Sequence, residues 1–376
     1  MTRPIQCRGL SHIETHGLRI WCHNMRDKSA HSPPTSPSAA TLAAQTGAYL
    51  AVLFVAYMAL WTVWPNQRSI DAAGQLLGLV DISRKIIFLG DSSVFAHGDE
   101  DLAYGSTIEI LNSMLPEPMV GQAALMGLGP PHARDMLVRI LHPESKVKTV
   151  ILCVNLGFLS PAWYMRPEPF FGQFRYFLRF PGPVAQAFFR PLIAFRAIEL
   201  DQFTPEQHRT TPIVYEGKSV AWAADVYPLL LYPDTTPGGL RMTAIARFMQ
   251  PCAPSNPSLI ALRDIARKCR NADIPLIAYI TPVNYQRGEA AIGPAFRAQV
   301  EANAKLVSDT LLAEGARVLD LSFALEDPYF EQHNPLSVHV MGPGRRFIAE
   351  RLRDELARTS SAPDMPAPPH PARSTD

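Results

Sequence analysis

Between Leu42 and Trp64 the chain reads LAAQTGAYLAVLFVAYMALWTVW, and no Asp, Glu, Lys or Arg occurs between Lys28 and Arg68. As an α-helix, about 20 such residues reach across the roughly 30 Å hydrocarbon layer of a bilayer. The run has no polar stripe, so it does not read as the surface helix of a soluble domain. A cleaved signal peptide has a shorter apolar stretch nearer the start and a small-x-small site after it. This run begins only at Leu42, and no clean site of that kind follows. Residues 42–64 are therefore expected to form one transmembrane helix, with Trp61 and Trp64 at its far boundary, where indoles favour the lipid–water interface.

The segment before it carries Arg3, Arg8, Arg19, Arg26 and Lys28 against Glu14 and Asp27. Positive flanks stay inside, so the expected topology is single-pass in the inner (cytoplasmic) membrane. The N-terminus would be cytoplasmic and everything after Trp64 periplasmic or extracellular. Residues 1–41 read as a tail without a fold of its own, with SAHSPPTSPSAA at 29–40 as a tether.

Beyond the anchor, short apolar runs alternate with amphipathic stretches. Lys85–Leu89 (KIIFL) and Thr149–Val154 (TVILCV) read as buried strands, and Pro275–Ile280 (PLIAYI) and Arg317–Leu321 (RVLDL) as further strands. His132–Leu141, Ser258–Asn271, Pro294–Glu314 and Gly344–Ala357 have helical spacing. Such alternation predicts an α/β domain with a parallel sheet covered on both faces, over 68–159 and 251–358. Chemistry in such sheets gathers at the carboxyl ends of the strands. The rhythm breaks over 160–250, where Phe, Tyr and Arg crowd together. That segment is expected to be an insertion packed on the main domain, or a lid or membrane-facing surface. Residues 359–376 (TSSAPDMPAPPHPARSTD) read as a disordered tail.

Composition excludes several functions. Lys and Arg number 35 against 34 Asp and Glu, so the basic excess that nucleic-acid binding draws on is missing. The five cysteines, at 7, 22, 153, 252 and 269, form no CxxC pair, and the histidines show no HExxH spacing, so no metal site is expected. Cys153 and Cys269 fall on apolar faces and read as buried small hydrophobes. A Cys252–Cys269 disulfide stays open for a domain outside the cytoplasm. Neither a Walker loop nor a GxGxxG turn is present.

Four features carry chemistry. Gly90-Asp91-Ser92-Ser93 directly follows the strand KIIFL. A nucleophilic serine needs that position, exposed on a tight turn beside backbone N–H groups, although Asp-Ser also makes ordinary turns and caps. A helix beginning after Ser92 would aim its amides at the developing charge. His339, before the last helix, is a candidate general base. Gly127, within GQAALMGLGPP at 121–131, lies in a loop between a strand end and the helix HARDMLVRIL, and Asn155 follows the strand TVILCV; both suit oxyanion donation.

In this order these features resemble the SGNH/GDSL hydrolases. TPVNY at 281–285, DLS at 320–322, PYF at 328–330 and HVMGPG at 339–344 are similar to membrane-anchored teichoic-acid D-alanyl transfer proteins and to SGNH-type polysaccharide O-acetylation proteins. The likeness covers about 85–160 and 258–357. It implies a flavodoxin-like three-layer α/β/α sandwich with Ser92 as nucleophile, His339 as base, and Ser92 N–H, Gly127 and Asn155 as oxyanion donors. Gly90 and Asp91 complete the motif, and no cofactor is implied. The implied partners are the bilayer, a cell-envelope polysaccharide and a multi-span membrane acyltransferase that supplies the acyl group.

Two departures from the family pattern stand out. Leu336 occupies the place of the family's aspartate, and Cys153-Val154-Asn155-Leu156 stands where GxND is usual. Asn334 is taken as the group that orients His339, with Glu331, Asp327 or a backbone carbonyl as the other candidates; His333 is an alternative base. The resemblance thus implies a serine acyltransferase or esterase acting on O-acyl, above all O-acetyl, esters of an envelope polysaccharide. The competing expectations are a decayed domain that binds glycan or scaffolds an acylation complex, and a lipid-directed esterase with the insertion as its lid.

Overall fold

The computed structural model describes residues 38–63, 80–95, 99–125, 127–166, 203–232, 234–332, 336 and 338–361. The expected tail segments 1–37 and 362–376 lie outside these residues, as does the aromatic stretch 167–202.

Helix α1 (Ala39–Val63) belongs, as far as Ala59, to a unit separate from the rest, and it takes in the last three residues of the stretch read as a tail. Ser38 starts it, its hydroxyl accepting the Thr41 amide at 3.2 Å, which sets the first turn just ahead of the apolar run. Within it Ala39–Ala59 is long and apolar enough to cross a membrane. The side chain of Trp61 and the whole of Trp64 lie outside the described residues.

The rest is an α/β unit around a five-stranded parallel sheet of β1 (Ile86–Gly90), β2 (Val120–Ala124), β3 (Thr149–Val154), β6 (Leu276–Ile280) and β7 (Arg317–Asp320). The order across the sheet is β2-β1-β3-β6-β7. The central strands are apolar without interruption because both faces are covered, and successive residues feed different cores. Ile87, Leu89, Val150, Leu152, Leu276 and Ala278 face one core, and Phe88, Ile151, Ile277 and Tyr279 the other.

The principal helices are α2 (Thr107–Met114), α3 (Pro130–Ile140), α4 (Ala223–Leu231), α5 (Pro237–Phe248), α6 (Pro257–Asn271), α7 (Ala295–Ala313) and α8 (Gly342–Ser361). Helices α3, α6 and α7 seal the first core, and α2 and α8 the second. Local chemistry fixes where they start. Ser106 and Glu109 form a reciprocal capping box on α2, and the Asn256 side chain accepts the Ser258 and Leu259 amides at the head of α6. At the other end of the unit, α8 continues through 359–361, so the helix runs three residues into the stretch read as a disordered tail.

The segment 203–250 adds a hairpin of β4 (Pro212–Tyr215) and β5 (Lys218–Trp222). Its two-residue turn, Glu216-Gly217, has φ of 50° and 74°, the left-handed pair that matches the twist of a tight hairpin. Ile213, Ala223, Val226, Leu230 and Ile245 make a small core of their own. Helix α5 bridges the two: Ala244 and Phe248 enter the main core, and the Phe248 ring meets Phe296 edge-on at 5.7 Å. The described cysteines Cys153, Cys252 and Cys269 are free thiols, so Cys252 and Cys269 do not pair.

One buried ion pair ties the start of α8 to the segment after β1. Arg345, 0 % exposed, meets Asp101, itself 1 % exposed. The same guanidinium donates to the carbonyls of Gly105 at 2.9 Å and Val340 at 2.8 Å, and the Gly342 amide donates to Asp101 Oδ1 at 2.7 Å. Gly342 is needed there, because a Cβ would run into the Tyr104 side chain. Removing one partner of such a pair strands the other charge in the interior. Arg345→Met is expected to lower the unfolding free energy by about 3–5 kcal/mol, read from urea titration, and Arg345→Met with Asp101→Leu by clearly less.

Candidate active site

The sheet order sends the connection after β1 to one side and that after β2 across to the other, which opens a crevice at the carboxyl ends of β1 and β3. A cleft of about 260 Å³ occupies this place, and Asp91, Ser92, Gly127, Asn155 and His339 all line it.

Each residue arrives by its own local chemistry. Gly90 ends β1 where space is short, since a Cβ would lie 3.0 Å from Val94 and 3.3 Å from Cys153. Asp91 is 2 % exposed, and its carboxylate organises the turn. Oδ1 accepts the Ser93 amide at 2.8 Å and the Ser93 hydroxyl at 2.5 Å, while Oδ2 accepts Asn155 Nδ2 at 2.8 Å. Ser92 then opens a 3-10 turn of three residues, Ser92–Val94, in place of the longer helix expected after it. Asp91 caps that turn through its side chain, so the chain needs no full helix to hold Ser92 in place.

Asn155 is shared between two tasks. Its Oδ1 accepts the Gly157 amide at 2.9 Å, and one hydrogen of Nδ2 goes to Asp91. The second hydrogen on that nitrogen is the donor left for a ligand. Gly127 has φ of 73°, a conformation that suits glycine, and its carbonyl accepts Arg166 Nη2 at 2.7 Å. Cys153 sits beneath the turn, 3.3 Å from the Ser93 hydroxyl, and burial pushes its thiol well up, which makes it inert.

Ser92 Oγ lies 3.0 Å from His339 Nε2, and His339 Nδ1 lies 3.3 Å from Glu331 Oε2. Residues 247 positions apart in sequence thus meet within hydrogen-bond range. The acidic partner is set by a small antiparallel pairing. Phe330 bridges Val340, the Glu331 amide donates to the His339 carbonyl at 3.2 Å, and the Met341 amide to that of Tyr329 at 2.8 Å. Directly opposed residues on such a ladder project to one side, so Glu331 stands beside the imidazole.

Comparison with protein-family models and with curated protein sequences finds no match.

The expected orienting residue, Asn334, lies outside the described residues, as does His333. Glu331 faces Nδ1 of His339. Asp327, the other acidic candidate, is turned elsewhere: it accepts Asn284 Nδ2 at 2.7 Å and Arg287 Nε at 2.8 Å, and the bonds from Arg287 and Asn284 hold its carboxyl below the usual range. Leu336 is 1 % exposed and belongs to the main core, its carbonyl accepting Arg247 Nη1 at 2.9 Å. The position where an aspartate was expected is thus a core position.

Trp163, Arg166, Tyr227 and Arg247 also line the cleft, and they fall outside every motif that the sequence offers. Arg247 alone left a trace, as a charge three residues after Ala244 and next to Phe248, among mostly apolar residues of the helix.

Asp91→Ala removes the acceptor of three donors at once. It is expected to lower the unfolding free energy by about 1–3 kcal/mol in chemical denaturation, with Asp91→Asn, which keeps one carbonyl oxygen, losing less.

Proposed function

We propose that this protein is a membrane-anchored serine acyltransferase or esterase of SGNH type, acting on acyl esters, O-acetyl esters in the first place, of a cell-envelope polysaccharide. The observation that carries this reading is the chain of contacts from Ser92 through His339 to Glu331, at 3.0 Å and 3.3 Å. With the Nδ1 proton directed at Glu331, Nε2 keeps a lone pair for the serine hydroxyl. The sheet order supports the fold half of the proposal, since numbered within the sheet it is 2-1-3-4-5, the flavodoxin-like arrangement. Helix α1 supports the anchor, and the positive residues before it support an outward-facing domain.

In the proposed reaction Ser92 Oγ attacks the ester carbonyl carbon while its proton passes to His339 Nε2. The negative oxygen of the tetrahedral intermediate is held by the Ser92 and Gly127 amides and by Asn155. Collapse breaks the bond to the leaving alkoxide, which takes the proton back from His339. The acyl group now on Ser92 is then attacked by a sugar hydroxyl or by water, with His339 again relaying the proton. Glu331 stabilises the imidazolium that forms in each half and fixes the ring. Its presence favours catalysis over a decayed scaffold, because the reason for expecting decay was the leucine at 336.

A serine-directed fluorophosphonate is expected to label the protein, and p-nitrophenyl acetate to be hydrolysed. Ser92→Ala abolishes both, and His339→Ala lowers hydrolysis at least about 10³-fold. Glu331→Ala lowers it about 10²- to 10⁴-fold with the fold intact, Glu331→Gln less, whereas Asn284→Ala leaves the labelling rate within a few fold. A folded protein that neither labels nor hydrolyses overturns the reading. The carboxylate at 331 is also tested by Leu336→Asp, which is expected to destabilise the core without raising activity.

A further inference from the structure

Arg247 is a charged residue of the cleft that the proposed reaction does not use. It is 8 % exposed and lines the cleft together with Ser92 and His339. Its Nη1 donates to the Leu336 carbonyl at 2.9 Å and its Nη2 to that of Leu230 at 3.1 Å. These bonds occupy two of the five N–H donors of a guanidinium. Among the described residues, no carboxylate lies within ion-pair distance of it, although a buried charge ordinarily has one. Asp91 acts on it only through space, and that carboxylate already accepts from Ser93 and Asn155. Burial accordingly lowers the pKa of the Arg247 guanidinium to about 10.

The surroundings of Arg247 suit a sugar ring. Trp163 lies 5.9 Å from the Arg247 guanidinium carbon and 5.0 Å from that of Arg166, measured to the ring centre, and meets Tyr227 edge-on at 5.7 Å. An aromatic face beside a buried cation offers one surface for stacking and one point for charge. The Arg247 stem also passes close to the candidate oxyanion loop, since a Cβ at Gly157 would lie 3.1 Å from its Cγ. Arg247, Asn155 and Ser92 line one cleft, so a group held by Arg247 is held within the same cleft as the candidate nucleophile. Arg166, the other guanidinium of the cleft, donates to the Gly127 carbonyl at 2.7 Å, and the planar fork of Arg247 matches a planar, singly charged group, which is a carboxylate.

We propose that the cleft takes a carboxylate-bearing glycan, an acidic sugar unit whose carboxylate pairs with Arg247 while its ring lies against Trp163. This rests on the reading of Ser92 as a nucleophile for glycan esters, and it narrows the substrate to acidic polymers.

The test uses the full-length protein in detergent micelles, with trigalacturonate as the acidic probe and galactotriose as its neutral counterpart. Calorimetry reads binding, and fluorophosphonate labelling of Ser92 reads access to the nucleophile. Trigalacturonate is expected to bind at least about 10-fold tighter than galactotriose and to slow labelling by a similar factor at saturation, the gain of one charge-assisted fork. Arg247→Lys, which keeps the charge but not the fork, is expected to lose most of that preference, and Trp163→Ala to weaken both probes. If Arg247→Lys does not fold, the preference of the wild-type protein decides by itself. Equal binding of both probes, or none, with labelling intact overturns the acidic-substrate inference and leaves the serine reading standing. Absent labelling with the acidic preference retained overturns the serine reading instead. A phosphodiester probe, glycerophosphoglycerol, that binds tighter than trigalacturonate overturns the carboxylate assignment.

Discussion

The buried pair of Arg345 and Asp101 is the constraint on which the candidate site depends. A guanidinium with no exposed surface persists only where a counter-charge and carbonyl acceptors meet it, and here these come from Asp101, Gly105 and Val340. Asp101 follows the serine turn by a few residues, and Val340 is the neighbour of His339. Satisfying one arginine therefore brings the two ends of the α/β unit together. The same two ends of the unit carry Ser92 and His339, which meet at 3.0 Å.

Within that frame the acidic partner is placed by backbone pairing rather than by a motif. The bridge between Phe330 and Val340 sets Glu331 opposite His339, eight positions away in sequence. A carboxylate three residues before the histidine would serve the same end, but position 336 lies in the apolar core, where a carboxylate would be costly. Sequence spacing pointed to a gap beside the histidine. Strand-like pairing fills it from the other side of the loop.

The parts of the fold that were legible in the sequence are those governed by periodicity and by local caps. The apolar runs KIIFL, TVILCV, PLIAYI and RVLDL became β1, β3, β6 and β7 with ends shifted by no more than a residue; burial on both faces demands continuous apolar sequence in β1, β3 and β6, while β7 is a half-buried edge strand. Strand β2 (VGQAA) was less legible as an element, being rich in glycine and alanine rather than in β-branched or aromatic residues. The serine turn was legible in type but not in length. Asp91 caps it through its own side chain, so a 3-10 turn suffices where a helix was expected.

The sequence by itself determined the long apolar helix, the alternation that makes a parallel sheet, and the strand-end positions of Ser92, Gly127 and Asn155, since each depends on residues close together in the chain. Tertiary structure alone decided which acid faces His339 and that a buried arginine lines the cleft. Both follow from contacts between segments that local patterns do not link. Glu331 carries no local mark that separates it from Asp327, and only the pairing of 330 with 340 turns one toward the imidazole, while Arg287 holds the other away. Arg247 reads locally as a helix residue, and only the packing of α5 against the cleft gives it a place beside Ser92.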